Sequence, residues 1–412
     1  MTNFDVIEAY IEDFTKWAYR NSRGTAKITN NTIVITNVVE TNNIVEDDNE
    51  PYSDLTIRVT GVTENRYLIV RQGRGKPETH IKKDGVYTFK DNNLYFGFGV
   101  SVIGECNITI TQLPTSILKD LSGNGNHAYL YGGKGKLNSG MGVYQQDFSK
   151  LIISRVDKKQ DPFSFTVSGS GGSYLAYMQL GNWNNKAFKI LANINAKSDY
   201  LYLRFRNSTD AVITSVMLKN GENIIPAQNI EGATKAVFEY SLKEGETITI
   251  TQIPDYPDQL CYDGKMYAIA YGMPILTDYT IITDRTWFKD KINSWSYFVD
   301  KKKAFTFERT GNGKSFNAMS FAAETVIELQ KDGVSYQTKA SYNGNAINYH
   351  SDQADNDDRL VIGSTKDSLG NQCFIGCHSD ILIFNRTLTE YEISWVKNNM
   401  MCSKQQEHDI DL

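Results

Sequence analysis

The chain has no run of some 18 apolar residues, the length a helix needs to cross a bilayer, so no helical membrane span is expected. Its start, Met1-Thr2-Asn3-Phe4-Asp5, carries neither a basic nor an apolar segment, so no secretory signal is expected either. Folding in the cytosol follows as an expectation. Positive charge is short. The 43 Lys and Arg against 48 Asp and Glu leave a net charge of −5, which argues against nucleic acid, whose phosphates need clustered Lys and Arg. Proline is scarce, at 8 residues. Five scattered cysteines (Cys106, Cys261, Cys373, Cys377, Cys402) form no disulfide framework; their odd number and a reducing compartment favour free thiols. Cys373 and Cys377 would lie roughly 13 Å apart along a strand, too far to bridge. A zinc site with His378 lacks a second pair of ligands. The histidines form no H-x-x-x-H pair and no Ser/His/Asp pattern. Arg71-Gln-Gly-Arg-Gly75 lacks the following helix that a phosphate cradle needs.

What is plentiful is aromatic and β-prone: 24 Tyr, 19 Phe and 40% hydrophobic residues. Gly, Asn, Thr and Tyr punctuate many short runs, and this pattern predicts an all-β chain of antiparallel sandwiches. At 412 residues, two or three domains are expected.

The amino-terminal spacing predicts a helix over residues 3–20. Phe4, Ile7, Ile11, Phe14 and Ala18 follow heptad intervals, as an oligomerisation seam would. The run is about two heptads, short for an independent coiled coil, so packing on the chain's own β-domain is the competing reading. An internal repeat follows. Asn107-Ile-Thr-Ile-Thr-Gln-Leu-Pro114 recurs as Thr247-Ile-Thr-Ile-Thr-Gln-Ile-Pro254, and the turn Lys82-Lys-Asp-Gly85 recurs as Leu218-Lys-Asn-Gly221. Two matches in one order predict a duplicated β-sandwich, with Lys83-Asp84-Gly85 as a hairpin turn.

Near the end, Ile381-Leu-Ile-Phe384 reads as a buried strand and Thr389-x-x-Glu392 as a capping box opening a helix. Leu388 and Ile393 are placed as its hydrophobic staple. Asp120-Leu-Ser-Gly-Asn-Gly-Asn-His-Ala128 lies far upstream. Together the two stretches resemble the opening and closing motifs of the concanavalin A-like lectin/glucanase family in its laminin-G-like form. The resemblance spans at most Asp120 to Met401, with gaps, and implies a two-sheet antiparallel sandwich. The expected organisation is an anchoring or oligomerisation helix over 1–22 and a first sandwich over 23–114. A laminin-G-like sandwich split between 115–155 and 255–402 would hold a second repeat, 156–254, as an insertion, with a tail over 403–412. Insertion at a loop is cheap when the inserted ends lie close together.

The family includes glucan hydrolases, whose retaining chemistry needs two carboxylates about 5–5.5 Å apart. Glu46-Asp-Asp-Asn-Glu50 has a suitable spacing, but Pro51 and its acidic surroundings read as a solvated loop. No catalytic residue is assigned. Asp355, Asp357 and Asp358 could supply oxygen ligands to Ca2+, although the EF-hand glycine and glutamate are missing; no other cofactor is expected. Carbohydrate needs aromatic platforms beside amides or carboxylates. Trp183 with Asn184, and Tyr349 with His350, are the candidates, and a buried aromatic is the alternative for each. The resemblance points to a non-enzymatic virion surface or fibre protein of a bacteriophage. It would be assembled in the host cytoplasm as a homo-oligomer, a trimer, joined to other virion proteins through the first helix and contacting host-surface glycans. A glycan-degrading hydrolase and a structural spacer are the alternatives.

Overall fold

The computed structural model describes residues 12–399, apart from 48–53, 74–76, 91–95, 133–136, 155–156, 171–172, 277–278, 289–295, 302–304, 310–323, 332–333, 337–356, 366–368, 372 and 387. The chain divides into two compact units, residues 1–135 with 262–412 and residues 136–261. Among the described residues the sheets are antiparallel and form β-sandwiches, with one short α-helix. No described helix is long and apolar enough to cross a membrane.

The first unit begins with a ten-stranded sandwich: β1 (Ala18–Tyr19), β2 (Gly24–Ile28), β3 (Thr32–Val38), β4 (Asn43–Glu46), β5 (Leu55–Thr60), β6 (Leu68–Gln72), β7 (Glu78–Ile81), β8 (Gly85–Phe89), β9 (Phe96–Val100) and β10 (Gly104–Gln112). Sheet A has the order β1-β4-β9-β6-β7 and sheet B the order β2-β3-β10-β5-β8. Period-two patterning sets the faces. In β5, Leu55, Ile57 and Val59 are buried while Thr56, Arg58 and Thr60 are not. The core between the sheets joins these residues to Ile33, Ile35, Leu68, Val70, Phe98, Ile108 and Ile110.

The amino-terminal segment corrects one expectation. Within residues 12–20 there is no α-helix: Phe14–Lys16 is a single 3₁₀ turn and β1 follows at once. Phe14 is fully buried and edge-on to both Trp17 at 4.9 Å and Phe98 at 6.3 Å. Its spacing from Ala18 suits a heptad, but the Phe14 ring closes the end of this sandwich and is not available to a partner chain. Ala18 pairs with Glu46 as part of β1. Phe4, Ile7 and Ile11 lie outside the described residues.

After β11 (Ile117–Leu118) and β12 (Ala128–Tyr131), the second unit holds β13 (Gly140–Val143) and then ten strands: β14 (Ile152–Ile153), β15 (Asp157–Gln160), β16 (Ser164–Ser168), β17 (Tyr174–Gln179), β18 (Phe188–Asn195), β19 (Tyr200–Arg206), β20 (Val212–Lys219), β21 (Gly221–Ile225), β22 (Lys235–Glu239) and β23 (Thr247–Ile253). Sheet C has the order β14-β17-β22-β19-β20, and sheet D the order β15-β16-β23-β18-β21. Strand for strand, this is the connectivity of β1 to β10. Even an irregularity recurs: the register shifts between Asn43 and Val45 in β4 and between Tyr174 and Ala176 in β17.

The duplication explains the recurring sequence. Gln112 and Gln252, from the shared I-T-I-T-Q, are both buried. The Gln112 side chain accepts from the Glu12 backbone N–H (2.9 Å) and donates to its carbonyl (2.8 Å). Gln252 does the same to Gln146, at 2.9 and 2.7 Å. Each clamp is followed by Asp-Phe-[Thr/Ser]-Lys, in which Asp13 or Asp147 caps a 3₁₀ turn and Phe14 or Phe148 enters the core. The Lys83-Asp84-Gly85 turn is not a hairpin. It joins β7 of sheet A to β8 of sheet B, and Asn220-Gly221 joins β20 to β21 across sheets C and D in the same way. Asp84 fixes its corner by accepting the Val62 N–H (3.0 Å), and Asn220 by accepting that of Ile194 (2.8 Å).

In the second unit β24 (Asp255–Asp263) pairs with β13, matching Cys261 to Gly140 and Leu260 to Met141; its last residues, Tyr262 and Asp263, belong to the first unit. The remaining strands of the first unit are β25 (Tyr267–Ala270), β26 (Tyr279–Trp287), β27 (Ser296–Lys301), β28 (Phe305–Arg309), β29 (Glu324–Lys331), β30 (Val334–Tyr336), β31 (Leu360–Ile362) and β32 (Ile375–Phe384), followed by α1 (Glu390–Asn399). One sheet runs β11-β12-β25-β31-β27-β28, and the order β32-β26-β29-β30 belongs to the other. Phe298 of β27 meets His378 of β32 at 5.5 Å between ring centroids. The opening and closing motifs act as local structure makers. Asp120 accepts the Ser122 and Asn126 N–H groups (2.8 and 2.9 Å), and Gly123 and Gly125 take the positive φ that such a turn demands. The capping box at α1 is reciprocal: Thr389 N–H donates to Glu392 Oε2 (2.8 Å), and Glu392 N–H to Thr389 Oγ1 (3.3 Å). Leu388, Ile393 and Val396 pack with Ile282.

Candidate functional site

The outer face of sheet C, in the second unit, gathers aromatic and charged side chains in one stripe. Its origin is the strict alternation of Tyr200-Leu-Tyr-Leu-Arg-Phe-Arg206. Leu201, Leu203 and Phe205 are buried in the core, which turns Tyr200, Tyr202, Arg204 and Arg206 onto the opposite face. Registers extend this stripe across the sheet. Tyr174, Glu239 and Tyr202 form one row, and Tyr177, Val237 and Arg204 the next.

The face is cross-linked. Glu239, only 6% exposed, accepts from Arg204 Nη1 (2.7 Å) at one oxygen and from Arg206 Nε (2.5 Å) at the other. This pairing holds the Arg206 guanidinium above its ordinary pKa. At the end of the β19–β20 hairpin the Asn207 side chain accepts the Thr209 and Ala211 N–H groups (3.0 and 2.9 Å). That turn holds Asp210 at φ 70°, where its carboxylate takes the Tyr174 hydroxyl (2.5 Å) and Lys235 Nζ (2.7 Å). Burial, and then the bond to Asp210, push the Tyr174 phenol up to about 12. The Arg204 guanidinium lies 4.6 Å from the Tyr202 ring centroid, and Lys235 lies 5.4 Å from that of Tyr174. Tyr200 stands edge-on to Tyr202 at 5.7 Å and is 41% exposed. Rigid aromatic surface beside fixed hydrogen-bonding groups is the composition that holds a sugar: its C–H faces lie on the rings and its oxygens meet the polar side chains.

The matching face of the first sandwich is built differently. Arg71 takes the register place of Arg204, but Gly97 and Gly99 stand where Val237 and Glu239 stand in the second unit. A Cβ on Gly97 would meet Asn43 Nδ2 at 2.4 Å. Asn43, Arg71 and Glu78 therefore close over a glycine floor, with Arg71 bonded to both others. The aromatic contact described on this face is Tyr67, in the place of Tyr200, against His80, with ring centroids 4.9 Å apart.

The residues singled out in the sequence fall elsewhere. Trp183 is buried in the core of the second unit, edge-on to Phe188 (5.7 Å) and Phe205 (5.4 Å), so its ring is no platform for a ligand. Asn184 is a strut: its N–H donates to Gln146 Oε1 (3.0 Å) and its side chain to Gln145 Oε1 (3.0 Å). Tyr349, His350 and Asp355 lie outside the described residues. Asp357 is buried and accepts from Arg359 Nε (3.1 Å), while Asp358 lies 3.8 Å from the Arg58 guanidinium. These two carboxylates already face arginines, and no group of three or more metal-binding side chains occurs among the described residues. Glu46, from the acidic run, pairs with Arg20. The Tyr/Arg alternation of β19 was the available signal for the face of sheet C; Glu239 and Tyr174, far off in sequence, join it only through strand pairing.

No protein-family model and no curated protein sequence matches this chain.

Proposed function

We propose that the chain is a non-enzymatic glycan-binding protein and that the outer face of sheet C is its binding surface. The observation that carries this reading is the stripe Tyr200, Tyr202 and Arg204, braced from behind by Glu239 and Arg206. A braced face loses little side-chain freedom on binding, which is the usual cost of ordering long polar groups. The non-catalytic reading is favoured by the state of the two carboxylates of this face: both Glu239 oxygens are held by guanidinium groups and those of Asp210 by Tyr174 and Lys235, so neither stands free as the acid or the nucleophile that glycoside hydrolysis needs. The resemblance of Asp120–Ala128 and Asp380–Lys397 to laminin-G-like brackets extends the proposal to a bacteriophage virion surface or fibre protein. There the single-site affinity, set by a shallow face, would be multiplied by avidity across the copies of a homo-oligomer. Binding of the full chain to a polysaccharide array, with Tyr200→Ala/Tyr202→Ala alongside, tests the reading. Binding lost in the double variant supports it; an array with no bound polysaccharide contradicts it. Light scattering with and without residues 1–11 tests the oligomer: an unchanged mass removes that segment as the seam.

A further inference from the structure

We infer that the face of sheet C takes an acidic glycan, one whose sugars carry a carboxylate or sulfate group; this rests on the glycan-binding reading above. The argument is a count of donors and acceptors. A neutral sugar hydroxyl donates as well as accepts, so a face for neutral sugars offers free carboxylate or amide oxygens. Here every oxygen of the acidic acceptors already takes one bond, and Glu239 is buried as well. Glu239 is held by Arg204 and Arg206, and Asp210 by Tyr174 and Lys235. The larger unused capacity is on the donor side. A guanidinium has five N–H groups, and Arg204 gives one of them to Glu239. Its side chain is 32% exposed and lies against Tyr202, which fixes the plane of its fork. A fixed guanidinium fork matches the paired oxygens of a carboxylate or sulfate. Charge agrees: Arg204, Arg206 and Lys235 outnumber Glu239 and Asp210, in a chain whose net charge is −5. Tyr200 and Tyr202 continue the stripe and would carry the ring of the same sugar or of its neighbour.

The test uses the full chain, four polysaccharides (polygalacturonate, its fully methyl-esterified form, dextran sulfate and dextran) and polyglutamate as a sugar-free control. Each pair shares a backbone and differs in charge. The expected result is at least about tenfold tighter binding to one charged member than to its uncharged counterpart, the scale of one charge-assisted hydrogen-bonded contact. The tighter of the two charged polymers identifies the source as carboxylate or sulfate. Arg204→Gln should remove most of the preference, and Arg204→Lys, which keeps charge without the fork, should retain part of it. Thermal melting checks both folds, and the Lys variant decides if the Gln variant unfolds. Equal binding of charged and uncharged members, or a preference that survives Arg204→Gln, overturns the inference and leaves the glycan-binding reading standing. Polyglutamate bound as tightly as polygalacturonate also overturns it, because charge alone would then suffice. Failure of all four polysaccharides to bind, together with an empty polysaccharide array, removes the glycan-binding reading itself.

Discussion

Replacing Gln252 with methionine should loosen the second unit alone. Methionine keeps the length and bulk of the side chain but makes neither bond to Gln146. The site is almost dry, with Gln252 3% and Gln146 1% exposed. The substitution leaves the Gln146 N–H and C=O without the partners seen at 2.9 and 2.7 Å. Each stranded group costs roughly 1–3 kcal/mol, so about 2–6 kcal/mol together. A chain of several sandwiches does not unfold in one step, so a single melting temperature is a poor readout. Hydrogen exchange of the intact chain resolves the units separately. At 1.4 kcal/mol per tenfold, the slow amides of β16, β18 and β23 should exchange at least about 25-fold faster. Those of β3, β5 and β10 should be unchanged, and Gln112→Met should produce the converse pattern. Exchange within about threefold of wild type in both variants would refute the claim that these glutamines hold each sandwich to its amino-terminal segment.

Thr389→Ala removes the cap of α1 and should destabilise the helix by about 1 kcal/mol, read from amide exchange in its first turn. Glu392 is held down to about 2, first by Arg386 and then by Thr389. Its folded value lies below its unfolded one, so its contribution is complete above about pH 4.5 and is lost as pH falls toward 2; exchange at the helix start should rise across that window. Ile393→Ala, which empties part of the contact with Ile282 and Val396, should cost about 2–4 kcal/mol without altering polysaccharide binding. Trp183→Ala should cost about 3–5 kcal/mol as a core deletion, whereas Tyr200→Ala should leave stability within about 0.5 kcal/mol. His378 is buried and its pKa is depressed to about 4 by that burial. The unfolded chain therefore takes up the proton first, and stability of the sandwich around it should fall as pH drops from about 6.5 to 4. His378→Gln should flatten that slope.

Local signals were the most legible part of the sequence. A capping box and a staple involve residues within a few positions of one another, and Thr389, Glu392, Leu388 and Ile393 all adopt the expected contacts. The Asp120 turn is likewise self-contained. The I-T-I-T-Q repeat was readable because a central strand must alternate and its glutamine has a fixed task. Phe14 misled because heptad spacing does not tell a helical seam from a buried aromatic on a 3₁₀ turn. The equivalent motif at Asp147-Phe148-Ser149-Lys150, caught by comparison with Asp13-Phe14-Thr15-Lys16, would have shown the difference. Trp183 misled for a related reason: its asparagine neighbours resemble a sugar site in composition, yet they brace a loop. The face of sheet C was the least legible, since Tyr174, Tyr202 and Glu239 become one row only when three strands pair in register.

The most direct test of the central claim is equilibrium binding of the intact chain, wild type against Tyr202→Ala, to a polysaccharide that the array identifies. Tyr202 lies on the outer face, against Arg204, so its loss should spare the fold. The account predicts binding by the wild type and a loss of about tenfold or more in the variant at unchanged thermal stability. Wild-type affinity retained in Tyr202→Ala would place the ligand on another surface and contradict the account.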